Sequence, residues 1–145
     1  MQCLHAATLA LLLAFPMPGQ TPGERVNGGF KALRTGGWGD AFKEWEQQAL
    51  PFAPVDPEPR KQLEEWVPKT WSLGTWELLQ TSSLSTSWQR QWWLASFDQG
   101  VVFFAFDSVR HKGEWRIFRL QVSRDPAALL PGLDLQPGLA VRNRE

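Results

Sequence analysis

Apolar residues recur first at helical spacing along this chain and then in alternation. Val26, Phe30 and Leu33 fall on one side of a 3.6-residue period, which predicts a helix over 22–34. Thr21-Pro22-Gly23-Glu24 ahead of it has the form of a capping box: threonine accepts from a free helical N–H, proline suits the first turn, and glutamate reaches back. Gly28-Gly29 opposes the helix, since each glycine costs about 1 kcal/mol against alanine. Thr35-Gly36-Gly37 breaks it. Trp38, Ala41, Phe42, Trp45 and Ala49 then mark one face of a second helix over 38–50. A proline-rich connector over 51–57 follows. Asp56 is placed to cap a third helix starting at Pro57, with Leu63, Trp66 and Val67 on its apolar face and Pro68 as its stop.

Beyond Gly74 the period changes to two. Four strands are predicted, over 76–84, 88–97, 101–110 and 115–123, separated by Ser85-Thr86-Ser87, Asp98-Gln99-Gly100 and His111-Lys112-Gly113-Glu114. Such short connections imply hairpins and an antiparallel meander. Asp125-Pro126 opens a short helical turn through Leu130, and the Pro, Gly and isolated Leu from Pro131 onward predict a loose tail over 131–145. Three helices followed by four meandering strands is an α+β layout, with the helices on one face of a curled sheet.

Hairpin geometry assigns the faces. With Asp98 to Gly100 as a three-residue turn, Gln91, Trp93, Ala95 and Phe97 share a face with Val101, Phe103, Ala105 and Asp107. Phe118, Leu120 and Val122 join them from the last strand. This most apolar face is expected to meet the helices. Trp88, Arg90, Trp92, Leu94, Phe104, Phe106, Trp115, Ile117 and Arg119 then face outward. A one-residue error in that turn would swap the faces of the strand that follows it.

Composition narrows the function classes. Lys plus Arg and Asp plus Glu both number 15, so the formal net charge is zero. That argues against nucleic-acid binding, which needs a basic footprint. From Asp40 to Glu77 there are eight acids and four bases; from Arg90 to Arg124 there are six bases and three acids. Two readings follow: halves that attract each other on folding, or a weakly basic face for an anionic ligand. Nine Trp and no Tyr favour burial and stacking and remove tyrosine as a catalytic donor.

Residues 1–20 read as a secretory signal peptide: the apolar run from Ala6 to Phe15 is too short to span a bilayer and ends at Pro16, Pro18 and Gly19. A secreted or periplasmic location is therefore expected, with no membrane span once the signal is removed. Cys3 lies before the run, so the processed chain has no disulfide and no thiol nucleophile. The domain proper is expected over 21–130.

Several motifs carry a further resemblance: Phe30-Lys31-Ala32-Leu33, Gly37-Trp38, Ala41-Phe42 with Trp45, Gly74-Thr75-Trp76-Glu77, Gly113-Glu114-Trp115-Arg116-Ile117 and Asp125-Pro126-Ala127-Ala128-Leu129-Leu130-Pro131. In this succession the chain resembles small secreted bacterial members of the cystatin-like, nuclear transport factor 2-like superfamily over 24–131. The resemblance implies a helix-filled cone on a bent sheet, often dimeric through the sheet's outer surface. Ketosteroid isomerase, polyketide cyclases and many non-catalytic domains share that fold, so the fold carries no function by itself.

Asp107 with Gln91 is the best candidate buried polar pair. A carboxylate in an apolar cone has a raised pKa and is suited to act as a general base. The competing reading is a structural Asp paired with Arg116 or water. Ketosteroid isomerase's phenolic donor has no counterpart in a chain without Tyr. His111, in a turn, lacks the companions a metal site needs, and Gly36-Gly37-Trp38-Gly39-Asp40 follows a helix and lacks the lysine of a phosphate loop. No metal and no cofactor are expected. Glu64 and Glu65 with Arg60, Lys61 and Lys69 read as a solvated helix face.

The expected function is binding of a small apolar ligand or a protein partner without catalysis, with Gln91, Trp93, Phe103, Asp107 and Phe118 lining the ligand site. Trp92, Phe104, Phe106 and Trp115 are the expected interface of a homodimer or partner complex, unless the C-terminal tail, with Leu129, Leu130, Leu133 and Leu135, covers that face. The alternative is an isomerase- or cyclase-like enzyme with Asp107 as base. Glycan binding by exposed Trp is a third possibility.

Overall fold

The computed structural model describes residues 19–50 and 55–129. The apolar N-terminal run and the expected tail lie outside the described residues. Helix α1 (Pro22–Gly36) carries the capping box in full: Glu24 N–H donates to Thr21 Oγ1 at 3.2 Å, and the Thr21 backbone N–H donates to Glu24 Oε2 at 2.7 Å. Gly37 ends α1 with φ 85° and leads directly into α2 (Trp38–Gln47). Helix α3 spans Glu58–Trp66, with Asp56 Oδ1 accepting from the Glu58 N–H. Strands β1 (Leu73–Ser85), β2 (Trp88–Phe97), β3 (Gly100–His111) and β4 (Glu114–Ser123) form one antiparallel sheet in the order β1-β2-β3-β4. A single turn, α4 (Pro126–Leu129), packs back on β3 and β4.

Gly28-Gly29 is tolerated in α1 for a packing reason. A Cβ on Gly29 would stand 2.0 Å from the Trp45 indole nitrogen, so the glycine admits that ring between α1 and α2. The indole N–H donates to the Val26 carbonyl, which is otherwise buried, at 3.0 Å. Phe30 sits at the centre of the core, 5.4 Å from Trp45, 5.8 Å from Trp93 and 5.1 Å from Phe104, ring centre to ring centre. Trp45 in turn meets Phe106 at 5.1 Å.

The β2–β3 register corrects the expected faces. Phe97 pairs with Gly100, so the turn is the two-residue Asp98-Gln99 rather than three residues. Trp93 therefore pairs with Phe104, and Gln91 with Phe106, on the helix side. Phe104, Phe106 and Ile117, expected outside, are fully buried in the core. Phe103, Ala105 and Asp107, expected inside, alternate onto the opposite face. The β3–β4 turn is also two residues: Lys112 (φ 49°) and Gly113 (φ 81°) link the His111–Glu114 pair, the double positive-φ geometry that matches strand twist. A bulge between Asp107 and Ser108 then skips Phe118, which lands on the outer side with its ring 5.8 Å from Trp88.

The charge asymmetry is used within each half. Every Lys or Arg ion pair among the described residues joins partners inside the 40–77 or the 90–124 stretch. Attraction between the halves through such pairs is therefore not how the charges are placed.

Candidate functional site

The residues expected to line a ligand site are not brought together. Gln91 and Trp93 lie on the helix side, while Phe103, Asp107 and Phe118 lie on the other. Beneath Trp93 the space is filled by Phe30 and Phe104. Gln91 is satisfied locally: its Oε1 accepts from the Trp93 indole at 3.2 Å, and its Nε2 donates to Gln89 at 3.3 Å.

Asp107 is a structural anchor in this geometry. It pairs directly with Arg90 on β2 and Arg119 on β4. Arg90 clamps both oxygens, through Nε at 2.6 Å and Nη2 at 2.7 Å, and Arg119 Nε donates at 2.6 Å. Burial alone pushes the carboxyl up. The hydrogen bonds from Arg90 and Arg119, with the charges of both guanidiniums, outweigh it and hold the pKa below the ordinary carboxylate value. The raised pKa on which a general base was expected is thus absent, and the partners are Arg90 and Arg119 rather than Gln91 or Arg116.

The expected interface is dispersed as well. Trp92 does point outward, but it is buried, and its indole N–H donates to the Leu129 carbonyl at 3.0 Å. The chain's own C-terminal turn covers it. Phe104 and Phe106 are core. Trp115 is half-buried beneath Arg110, whose guanidinium stands 5.1 Å from the ring. Of the nine Trp only Trp88 is exposed.

A concave site does exist, at the corner where α1 turns into α2 and faces α3 and the start of β1. It is a groove of about 780 Å³. Leu33, Trp38, Val67, Trp71, Leu73 and Phe97 supply apolar walls, and Arg34, Arg60, Glu64 and Lys69 the charged ones. Phe97 holds the aromatic wall together, 5.9 Å from Trp38 and 6.3 Å from Trp71. The segment carrying Trp71 is tied to the β2–β3 turn: Ser72 N–H donates to Asp98 Oδ1, and Asp98 N–H donates to the Ser72 carbonyl, both at 3.1 Å. Gly100 allows the Trp71 ring to close on the turn, since a Cβ there would stand 2.9 Å from it. Arg34 is fixed by the Gly74 carbonyl and by stacking 4.3 Å over Trp76. Sequence reasoning missed this groove. Its signals were Gly36-Gly37-Trp38-Gly39, read as a helix-breaking corner, and Pro68 to Ser72, of which only Pro68 was read, as the stop of the third helix.

Among the described residues no group of three or more His, Cys, Asp or Glu could hold a metal ion. No helix among them is long and apolar enough to cross a membrane.

No family model matches the chain, and no curated protein matches it. Among solved structures it is similar to a domain of unknown function with a cystatin-like fold from Nostoc punctiforme. The identity is 11% and the TM-score 0.48, over 73% of this chain and 80% of that one.

Proposed function

We propose that this chain is a non-enzymatic binding domain of the nuclear transport factor 2-like type, secreted or periplasmic by virtue of its N-terminal apolar segment, that holds a small, largely apolar ligand in the corner groove. The groove itself carries this reading. Its volume of about 780 Å³ lies within the range of pockets for drug-sized molecules. Its aromatic wall is preassembled by Phe97 and by the hydrogen bonds between Ser72 and Asp98. The isomerase- or cyclase-like alternative gains no support from Asp107, which Arg90 and Arg119 clamp and hold below the ordinary carboxylate pKa.

The test is a fluorescence titration of the purified protein with N-phenyl-1-naphthylamine, a neutral aromatic probe. Saturable binding is expected, weakened at least about tenfold in Trp71→Ala, because a buried aromatic anchor dominates such contacts. Asp107→Asn, far from the groove, is expected to bind as the wild type does. Absence of saturable binding, or equal binding by Trp71→Ala with an unchanged melting temperature, would overturn the proposal.

A further inference from the structure

The groove's charged lining is mostly cationic, although much of it comes from an acidic stretch of the sequence. Arg34, Arg60 and Lys69 line it against a single carboxylate, Glu64. The stretch from Asp40 to Glu77 has eight acids and four bases. The groove draws two of those four bases and only one of those eight acids. This is the reverse of what the local composition supplies.

The cations also retain capacity. Glu64 Oε1 takes the Arg60 Nε at 3.0 Å, and the two Nη groups of Arg60 make no hydrogen bond among the described residues. Nη2 lies over the first turn of α2, 3.6 Å from where a Cβ on Gly39 would stand. Lys69 makes no ion pair among the described residues. Arg34 is held in place by the Trp76 ring and the Gly74 carbonyl. A neutral ligand seated against Trp38 and Trp71 would strip water from these groups and offer them nothing in return, which is unfavourable. An anionic group would gain charge-assisted hydrogen bonds from them.

Resting on the placement of the ligand in this groove, we infer that its ligand is an anionic amphiphile: a flat apolar body bearing one oxyacid group. The body packs on the wall of Trp38, Trp71 and Phe97. The anionic group meets Arg60 and Lys69 at the rim. Arg34, also in the lining, adds its field.

Two probes sharing one ring system test this on the full chain. 8-Anilinonaphthalene-1-sulfonate carries a sulfonate that N-phenyl-1-naphthylamine lacks. The wild type is expected to bind the sulfonate about five- to thirtyfold more tightly at low ionic strength. Added salt should shrink that preference. In the double variant Arg60→Gln, Lys69→Gln, the ratio of the two affinities should fall toward unity; melting curves check that the variant is folded. Equal affinity of the wild type for the two probes would overturn the inference and leave the binding reading standing. So would a preference that survives the double variant. Failure of both probes to bind would overturn the binding reading and the inference with it.

Discussion

Asp107 shows how far a single residue can be read from a sequence. Its burial was legible, because it sits among Phe103, Phe104 and Phe106. Its partners were not, because a one-residue difference in the Asp98-Gln99 turn decides whether it faces Gln91 or stands between Arg90 and Arg119. Placed between two guanidiniums, the carboxylate ties β2, β3 and β4 together. Asp107→Asn is expected to cost about 2–3 kcal/mol by denaturant unfolding. This is below the roughly 3–5 kcal/mol of fully buried pairs, because Arg90 and Arg119 are partly exposed. The pH dependence has a definite sign. The folded pKa is lowered, so the stabilisation is complete above the unfolded value of 3.8 and is lost as the pH falls through the lower folded value. Wild type should therefore lose stability in acid more steeply than Asp107→Asn. Parallel acid limbs for the two proteins would contradict the clamp.

At the scale of elements, Thr21 to Glu24 announced the start of α1, and the Val26, Phe30 and Leu33 spacing its buried face. Gly28-Gly29 read as a weakness of the helix, because propensity carries no information on what packs against it. The structure separates the two glycines. Gly29 admits the Trp45 indole, whereas Gly28 has only the Glu44 carboxylate, 4.0 Å from an added Cβ. Gly28→Ala is expected to stabilise by about 0.5–1 kcal/mol, through helix propensity alone. Gly29→Ala is expected to destabilise by about 1–3 kcal/mol through overpacking, despite the same propensity gain. Thermal melts of the two variants check this pair, and shifts of the same sign would refute the packing account. The strands were legible from their alternation, but the faces of β3 were not. Both turn lengths are compatible with the residues Asp98-Gln99-Gly100, and only the β2–β3 pairing selects between them.

The whole molecule is an α+β unit whose sheet has α1 and α2 on one face and α4 on part of the other. Aromatic richness predicted a pocket inside the cone. Instead Phe30, Trp45, Phe104 and Phe106 interlock there, and Phe30 packs against Trp93. The groove lies where sequence patterns are least informative, at a helix corner and a connector joined to a turn distant in sequence. Its walls come from residues 33–39, 60–73 and 97, which no periodicity links. The proposal that it binds a ligand therefore turns on location, and location can be measured. All nine Trp side chains carry an indole N–H, so each reports its own surroundings. A proton–nitrogen correlation spectrum recorded during titration with N-phenyl-1-naphthylamine should move the indole signals of Trp38 and Trp71 and leave those of Trp45 and Trp93 in place. Shifts at Trp45 and Trp93 with Trp38 and Trp71 unmoved would place the ligand in the cone and contradict the account.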